Sequence, residues 1–436
     1  MQQNAETPWQ VNFTCTGGYR GEMFQRSLGP FHQFAPPPAP VAPVPVKKPT
    51  RQDQKSNGGF SVMPSLFYYD YTQDQRYLRT ELYPNLRAVD DFFRDYLTRD
   101  GDRLVMADSS AHEGSDDLNP NLDLGFIRRV ETALIAFSRQ LHVDATLVPV
   151  WQDTLSRLAA YPTTTWNGTT VYAMAENING STDPTALFKP GDQPINMEGS
   201  VFPGENLFVG GDAAQLQIAR DTLQQMNSWG VTSGENKGNG FPKEFPIAAR
   251  VGWPAADLES KFDAAIKAQW RPTNLTVAQS GGGIETSGSV EAVDSMLMQS
   301  VSGTIRVFGD ADWPTGKDAH FFRLRAKGAF EVSAAISGGT VGPVTITSDA
   351  GKQAKLKNPF SGGTVSVVQL DAGGNVVGPV PFTNSGGVVS FNTTTGTTYR
   401  VGNGAAAGAR GQAAGAVGVV LLAPFALAAR YRRRRA

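Results

Sequence analysis

Between Asp108 and Asp117 the chain reads DSSAHEGSDD, which puts Asp108, Glu113, Asp116, Asp117 and His112 in one polar stretch. A carboxyl in such a place can pass a proton to or from a reacting group, the work of a general acid or base. Acidic side chains just ahead of a helix can also do no more than complement its dipole, and Asp116 and Asp117 fit that plainer reading. Glu113 lies between His112 and Gly114, where a glycine lets the backbone approach a ligand closely. A catalytic carboxyl needs a loop that substrate can reach and a rigid element to hold it.

The rigid element follows at once. Leu122, Phe126, Ile127, Val130, Leu134, Phe137 and Leu141 recur at three- and four-residue steps, which predicts one apolar stripe on a helix of about six turns. Asn119 reads as its N-cap and Pro120 as its first residue.

Composition excludes several chemistries. The chain has 436 residues and a formal net charge of -1, with no basic run before the C-terminal tail, so no nucleic-acid partner is expected. The single cysteine, Cys15, excludes an internal disulfide and a cysteine-rich metal site. The four histidines stand far apart, without the spacing of a helical metal motif. The glycine runs lack phosphate-loop spacing. Neither metal nor cofactor is expected.

The chain divides by composition into four parts. Residues 1–59 are irregular and carry a Pro-rich linker at 35–49. Residues 60–302 show helical periodicity, with about eight helices joined by long polar loops and a short hairpin at Asn167-Gly168. In Phe67, Tyr68, Tyr69 and Tyr71 two readings stand, core packing and a stacking platform for a sugar ring. Residues 303–402 hold short β-branched runs separated by turn residues, which predicts a small antiparallel β-sandwich. Residues 403–436 begin with a Gly/Ala linker. Then come 17 uncharged residues, Ala413 to Ala429, and an arginine-rich end.

Three stretches resemble glycoside hydrolase family 95, the inverting α-L-fucosidase family. The first is Tyr71-Thr-Gln-Asp-Gln-Arg-Tyr-Leu78 with Tyr83-Pro84 and Phe92 to Leu97. The second is the Glu113 loop running into Asn119-Pro120. The third is Met296-Leu-Met-Gln-Ser300 with Gly303-Thr-Ile305 and Leu324-Arg-Ala-Lys-Gly-Ala-Phe330-Glu-Val332. The resemblance implies a mainly α plus β fold: a partial (α/α)6 toroid of the six-hairpin glycosidase type, then the β-sandwich. It implies an incomplete front end, with the N-terminal β-domain and first barrel helices of the family missing. It also implies roles. Glu113 matches the general acid. Glu285, one position out of register and in place of an aspartate, matches the general base. Val301 stands where the family has a histidine, and the asparagines that assist the base find no match.

Two carboxyls far apart in sequence suit an inverting glycosidase. One protonates the leaving oxygen, and the other activates water on the opposite face, with about 6.5–9.5 Å between them. His112, Trp229 and Arg250 are the expected substrate contacts. Glu198, Glu235 and Glu244 are the other acidic candidates should Glu285 prove misplaced. The competing function is a catalytically inactive, surface-anchored carbohydrate-binding or structural protein.

Ala413 to Ala429 reaches the lower limit of a bilayer span, and the arginines after it favour the cytoplasmic side. The expectation is therefore a C-terminal membrane anchor with the rest of the chain outside the cell. A disordered tail is the other reading. Deleting residues 411–436 should move the protein from the membrane to the soluble fraction. Equal partitioning of truncated and intact chains would refute the anchor.

Overall fold

Apolar residues at helical spacing build eight helices of ten residues or more among the described residues. They are α1 (Asn57–Thr72), α2 (Tyr83–Tyr96), α3 (Asn121–Leu141), α4 (Val148–Arg157), α5 (Ala213–Gln225), α6 (Phe241–Arg250), α7 (Ala255–Gln269) and α8 (Ile284–Leu297). The structure, a computed structural model, describes Arg20 and residues 54–404 except 113, 115, 228, 230–240, 272–275, 278–283, 312, 315 and 363. The Pro-rich linker and the segment 413–429 lie outside the described residues. Among the described residues no helix is long and apolar enough to cross a membrane.

Local chemistry sets the helix ends. Asp74 accepts from the backbone N–H groups of Arg76 and Tyr77 at 2.9 and 3.0 Å. That cap starts a short helical turn which passes through a π-helical stretch, Leu78–Leu82, into α2. Pro84 sits in the first turn of α2, where no N–H is needed. Asp212 caps α5 through Gln215 N at 2.8 Å. That helix ends at Gln225, so Trp229 lies beyond it rather than in its last turn. The hairpin turn Asn167-Gly168 has both residues at positive φ, 47° and 78°, the geometry that matches strand twist in a two-residue loop.

α3 buries the stripe read from its spacing, with Leu122, Phe126, Ile127, Val130, Leu134 and Phe137 all in the core. Its start differs from the expectation. The helix begins at Asn121, and Asn119 is a left-handed residue at φ 52° that makes no helix cap. Short polar side chains tolerate that conformation, and here it turns the chain into the helix.

α3 belongs to the first of two apolar clusters. This one gathers Leu66 of α1, Phe92 and Phe93 of α2, Phe126 of α3 and Trp151 of α4. The other gathers Tyr172 of the hairpin, Leu223 of α5, Phe245 and Ile247 of α6, Leu258 of α7 and Ala292 of α8. They are joined where α3 meets a short helical turn, Ile195–Glu198, and the loop after it. There Gly125 and Gly199 touch backbone to backbone. A Cβ built on Gly125 would lie 2.0 Å from the Gly199 carbonyl oxygen, and one on Gly204 would lie 1.7 Å from that same atom. The Asn206 amide donates to the carbonyls of Gly125 and Gly199 at 2.9 and 3.0 Å, tying the contact together.

The C-terminal part is an antiparallel sandwich. Its strands are β1 (Ala319–Ala326), β2 (Phe330–Ser337), β3 (Thr340–Val341), β4 (Val344–Ser348), β5 (Ala354–Lys357), β6 (Val365–Leu370), β7 (Val376–Pro379), β8 (Phe382–Ser385), β9 (Val388–Phe391) and β10 (Thr397–Asn403). The larger sheet runs β3-β2-β4-β10-β6-β7, with β1 also paired to β2; the smaller runs β5-β9-β8. Alternate residues of both sheets, such as Val332, Ile346, Val367, Leu356 and Phe391, fill one core. A helical layer followed by an antiparallel sandwich is the mixed class expected from the sequence.

Lysines of the C-terminal part reach back to the helices, Lys317 to Glu259 of α7 among them. Lys327, in the turn between β1 and β2, reaches Asp70 of α1 at 2.9 Å and also pairs with Glu205. Arg129 of α3 meets the same two carboxylates at 3.0 and 3.5 Å.

Replacing Gly125 by alanine should destabilise the fold by at least the ~1–3 kcal/mol typical of overpacking, because a carbonyl of the main chain cannot rotate out of the way. A thermal melt checks this, and an unchanged melting temperature would show that the two backbones are not in contact.

Candidate active site

The loop that bears Glu113 is braced from inside. Ser109 and Asp117 exchange backbone hydrogen bonds at 3.1 and 3.0 Å, which closes its base. The Asp117 carboxylate accepts from Ala111 N at 2.7 Å and from Asn179 N at 3.0 Å. Burial raises its carboxyl, and these two backbone donors oppose the rise. Ser110 Oγ accepts from Gly114 N at 2.7 Å. Asn119 accepts from Met106 N at 2.8 Å and donates to Glu176 at 2.7 Å. Glu113 itself lies outside the described residues, but both of its neighbours are held.

The loop is also tied to α3. Ser109 Oγ donates to Asp123 Oδ2 at 2.6 Å, in the first turn of the helix. Asp123 is fully buried, and burial pushes its carboxyl up to about 7 against the pull of the Ser109 hydroxyl.

His112 leads into a row of polar side chains. Its Nδ1 is 3.3 Å from Asp192 Oδ2, and its Nε2 is 2.7 Å from the Gln193 amide nitrogen. Gln193 Oε1 accepts from Lys243 Nζ at 2.7 Å, and the same ammonium donates to Glu198 Oε1 at 2.7 Å. Glu198 is buried at the end of the turn 195–198, and Lys243 lies in the first turn of α6. Burial acts to raise the Asp192 carboxyl, but the hydrogen bonds from His112 and from Gln193 N prevail and hold it below its usual range. The row joins three pieces of chain that are distant in sequence: the 108–117 loop, the 192–198 turn and α6.

The other residues singled out in the sequence fall elsewhere. Trp229 is in the core, with its ring 5.6 Å from Phe245 and 5.4 Å from Trp253, so it packs rather than presents a face to a sugar. Arg250 ends α6, about 10 Å along the axis from Lys243 at ~1.5 Å per residue. It donates to Ser295 at 2.7 Å and Glu291 at 3.1 Å and lies 4.2 Å over the Phe202 ring. It lines a separate cavity of about 200 Å³ at the joint with the sandwich, beside Tyr71, Glu205, Asp294 and Lys327. There burial, with Glu291 close by, lifts the Asp294 carboxyl to about 6. His112 is not among the residues that line that cavity. Glu285 is the second residue of α8 and so helical rather than in a loop, and its side chain lies outside the described residues.

Asp192, Gln193 and Lys243 were not legible as site residues. They sit in an aperiodic stretch and at a helix start, and only tertiary closure brings them to His112.

Residues 41–173 match the glycosyl hydrolase family 95 catalytic domain. That segment contains α1 to α4 and the whole Glu113 loop, so the resemblance read from the sequence holds there. Among solved structures, an α-L-rhamnosidase of Streptomyces avermitilis complexed with L-rhamnose shares 13% identity at a TM-score of 0.35, over 79% of this chain and 32% of that one. An α-L-rhamnosidase from Dictyoglumus thermophilum shares 11% identity at a TM-score of 0.39, over 81% of this chain and 42% of that one. The chain thus spans less than half the length of either, and scores this low carry no functional inference. No curated protein matches the chain.

Asp123 gives the site a pH signature. Its folded-state carboxyl is raised from the ordinary value of 3.8 to about 7, so the folded chain holds a proton that the unfolded chain has lost. Stability should therefore be highest below pH ~4 in this respect and fall as pH rises to about 7, by a few kcal/mol at most. Asp123→Asn should remove that slope. Chemical denaturation of both forms across this range tests it, and identical slopes would refute the assignment.

Proposed function

We propose that this chain is a glycoside hydrolase of the family 95 type, removing terminal α-L-fucose-like sugars from oligo- or polysaccharides with inversion. The observation that supports it most is that the braced Glu113 loop falls inside the segment matched to the family's catalytic domain. In this reading the helical layer is part of an (α/α)6 toroid. The protein stands at the cell surface, held through 413–429.

Glu113 is the general acid. Its proton passes to the glycosidic oxygen as the bond from that oxygen to the anomeric carbon breaks. Glu285 is the general base. It takes a proton from a water molecule, whose oxygen bonds to the anomeric carbon from the opposite face, so the configuration inverts. Nothing in this sequence requires a metal or a redox cofactor. The loop's contribution is position: Asp117, Asn119 and the Ser109–Asp123 bond hold the segment on either side of the acid, and a held acid loses little freedom on reaching the transition state.

A panel of aryl glycosides, including α-L-fucosides and α-L-rhamnosides, tests the proposal. Glu113→Gln should lower hydrolysis by about 10²–10⁴-fold on substrates with poor leaving groups and far less on activated ones. Glu285→Gln should lower hydrolysis of every substrate, since all need the activated water. Sugar binding without turnover of any glycoside would instead establish the competing reading, an inactive carbohydrate-binding protein.

A further inference from the structure

The row of side chains behind His112 has a direction, and the direction is set at its far end. A lysine ammonium has donors only, and Lys243 Nζ lies 2.7 Å from Gln193 Oε1 and 2.7 Å from Glu198 Oε1. The Gln193 amide must therefore turn its oxygen toward Lys243. Its NH₂ then faces His112 Nε2 at 2.7 Å. An NH₂ can only donate, so Nε2 must offer a lone pair. The ring proton is thereby left on Nδ1, which points at Asp192 Oδ2, 3.3 Å away. A doubly protonated ring would set N–H against N–H₂ at that same short distance.

We propose that Lys243 is a positioning residue that fixes the Gln193 amide and, through it, holds His112 as the neutral Nδ1-protonated tautomer that clamps the Glu113 loop. Both ring nitrogens of His112 are engaged by the 192–193 turn, so the histidine is a strut and not a sugar contact. The residue directly before Glu113 is tied at two points, while the residue directly after it, Gly114, is tied through Ser110. Lys243 and Glu198 offset each other's charge, so the clamp depends on donor geometry rather than on net charge. Asp192 faces only the Nδ1 side; without Lys243 the Gln193 amide is free to turn over and present its oxygen to Nε2, which favours a proton on that nitrogen, either moved from Nδ1 or added to it while Asp192 keeps accepting from Nδ1. The tautomer assignment stands by itself, and its bearing on Glu113 rests on the glycosidase reading above.

Nitrogen-15 labelling of the histidines in the full chain, with long-range proton–nitrogen correlation at a pH where imidazole is neutral, reads the tautomer directly. His112→Asn identifies the resonances. In the parent protein His112 Nδ1 should appear as a protonated, pyrrole-type nitrogen and Nε2 as an unprotonated, pyridine-type one. Lys243→Met should move the two signals toward each other or exchange them, and Lys243→Arg, which keeps the donors, should restore the parent pattern. A parent His112 protonated at Nε2 would overturn the proposal. So would an unchanged pattern in Lys243→Met, since Asp192 alone would then set the ring. If aryl glycosides are turned over, Lys243→Met should lower kcat about tenfold or more on poor leaving groups with little change in KM. A tautomer change in a chain that hydrolyses nothing would uphold the clamp and refute the glycosidase reading.

Discussion

The contact on which this molecule depends is one between main chains. At Gly125 and Gly199 the long helix α3 and the loop after residue 198 approach so closely that neither position has room for a side chain. Glycine costs a helix about 1 kcal/mol relative to alanine, so its presence in the first turns of α3 calls for a packing reason. The reason is that this crossing joins two apolar clusters that otherwise share few residues. It also sets the distance between the loop ahead of α3 and the turn that carries Asp192, Gln193 and Glu198. The turn that ends at Gly199 carries Glu198 of the polar row just before it, and the loop after it carries Glu205 of the charge cluster.

Several acidic side chains around the helices are already engaged by the fold itself. Asp74 and Asp212 are spent on backbone N–H groups at helix starts, Asp117 on two such groups within its own loop, and Asp123 on Ser109. Asp74 and Asp212 satisfy exposed N–H groups at helix starts, whereas Asp117 and Asp123 satisfy donors in buried or half-buried places, where an unmade hydrogen bond costs most. A cluster of acids in a sequence is thus mostly architecture, and a candidate acid has to be sought among those left over.

What the sequence revealed, and where it was silent, follows from this. Periodic apolar residues made the helices legible, since the burial of Leu122, Phe126 and Leu134 needs only local spacing. Asn167-Gly168 announced its hairpin because two positive φ angles in a row favour those residues. Asn119 misled, because the same short amide that caps a helix also tolerates a left-handed turn, and only the position of Met106 decides between them. Trp229 misled because an indole suits both a core and a sugar platform. Lys243 and Gln193 lie 50 residues apart, and Gln193 and His112 lie 81 apart, with no pattern linking them. Their meeting is a product of the Gly125–Gly199 crossing, which no local spacing encodes.

The Lys327 turn has a consequence for how the two parts of the chain can be separated. Asp70 and Glu205 sit together on the helical side with Arg129, so two carboxylates there share one local cation until the sandwich supplies another. Without a cation at position 327, the packed joint would leave one negative charge in a mostly buried place uncompensated, a defect that typically costs several kcal/mol. The helical layer is therefore not modular in the way two cores would suggest. Its charge balance is completed by a residue from the other part, and a recombination that exchanged the sandwich would have to preserve a cation at that one turn.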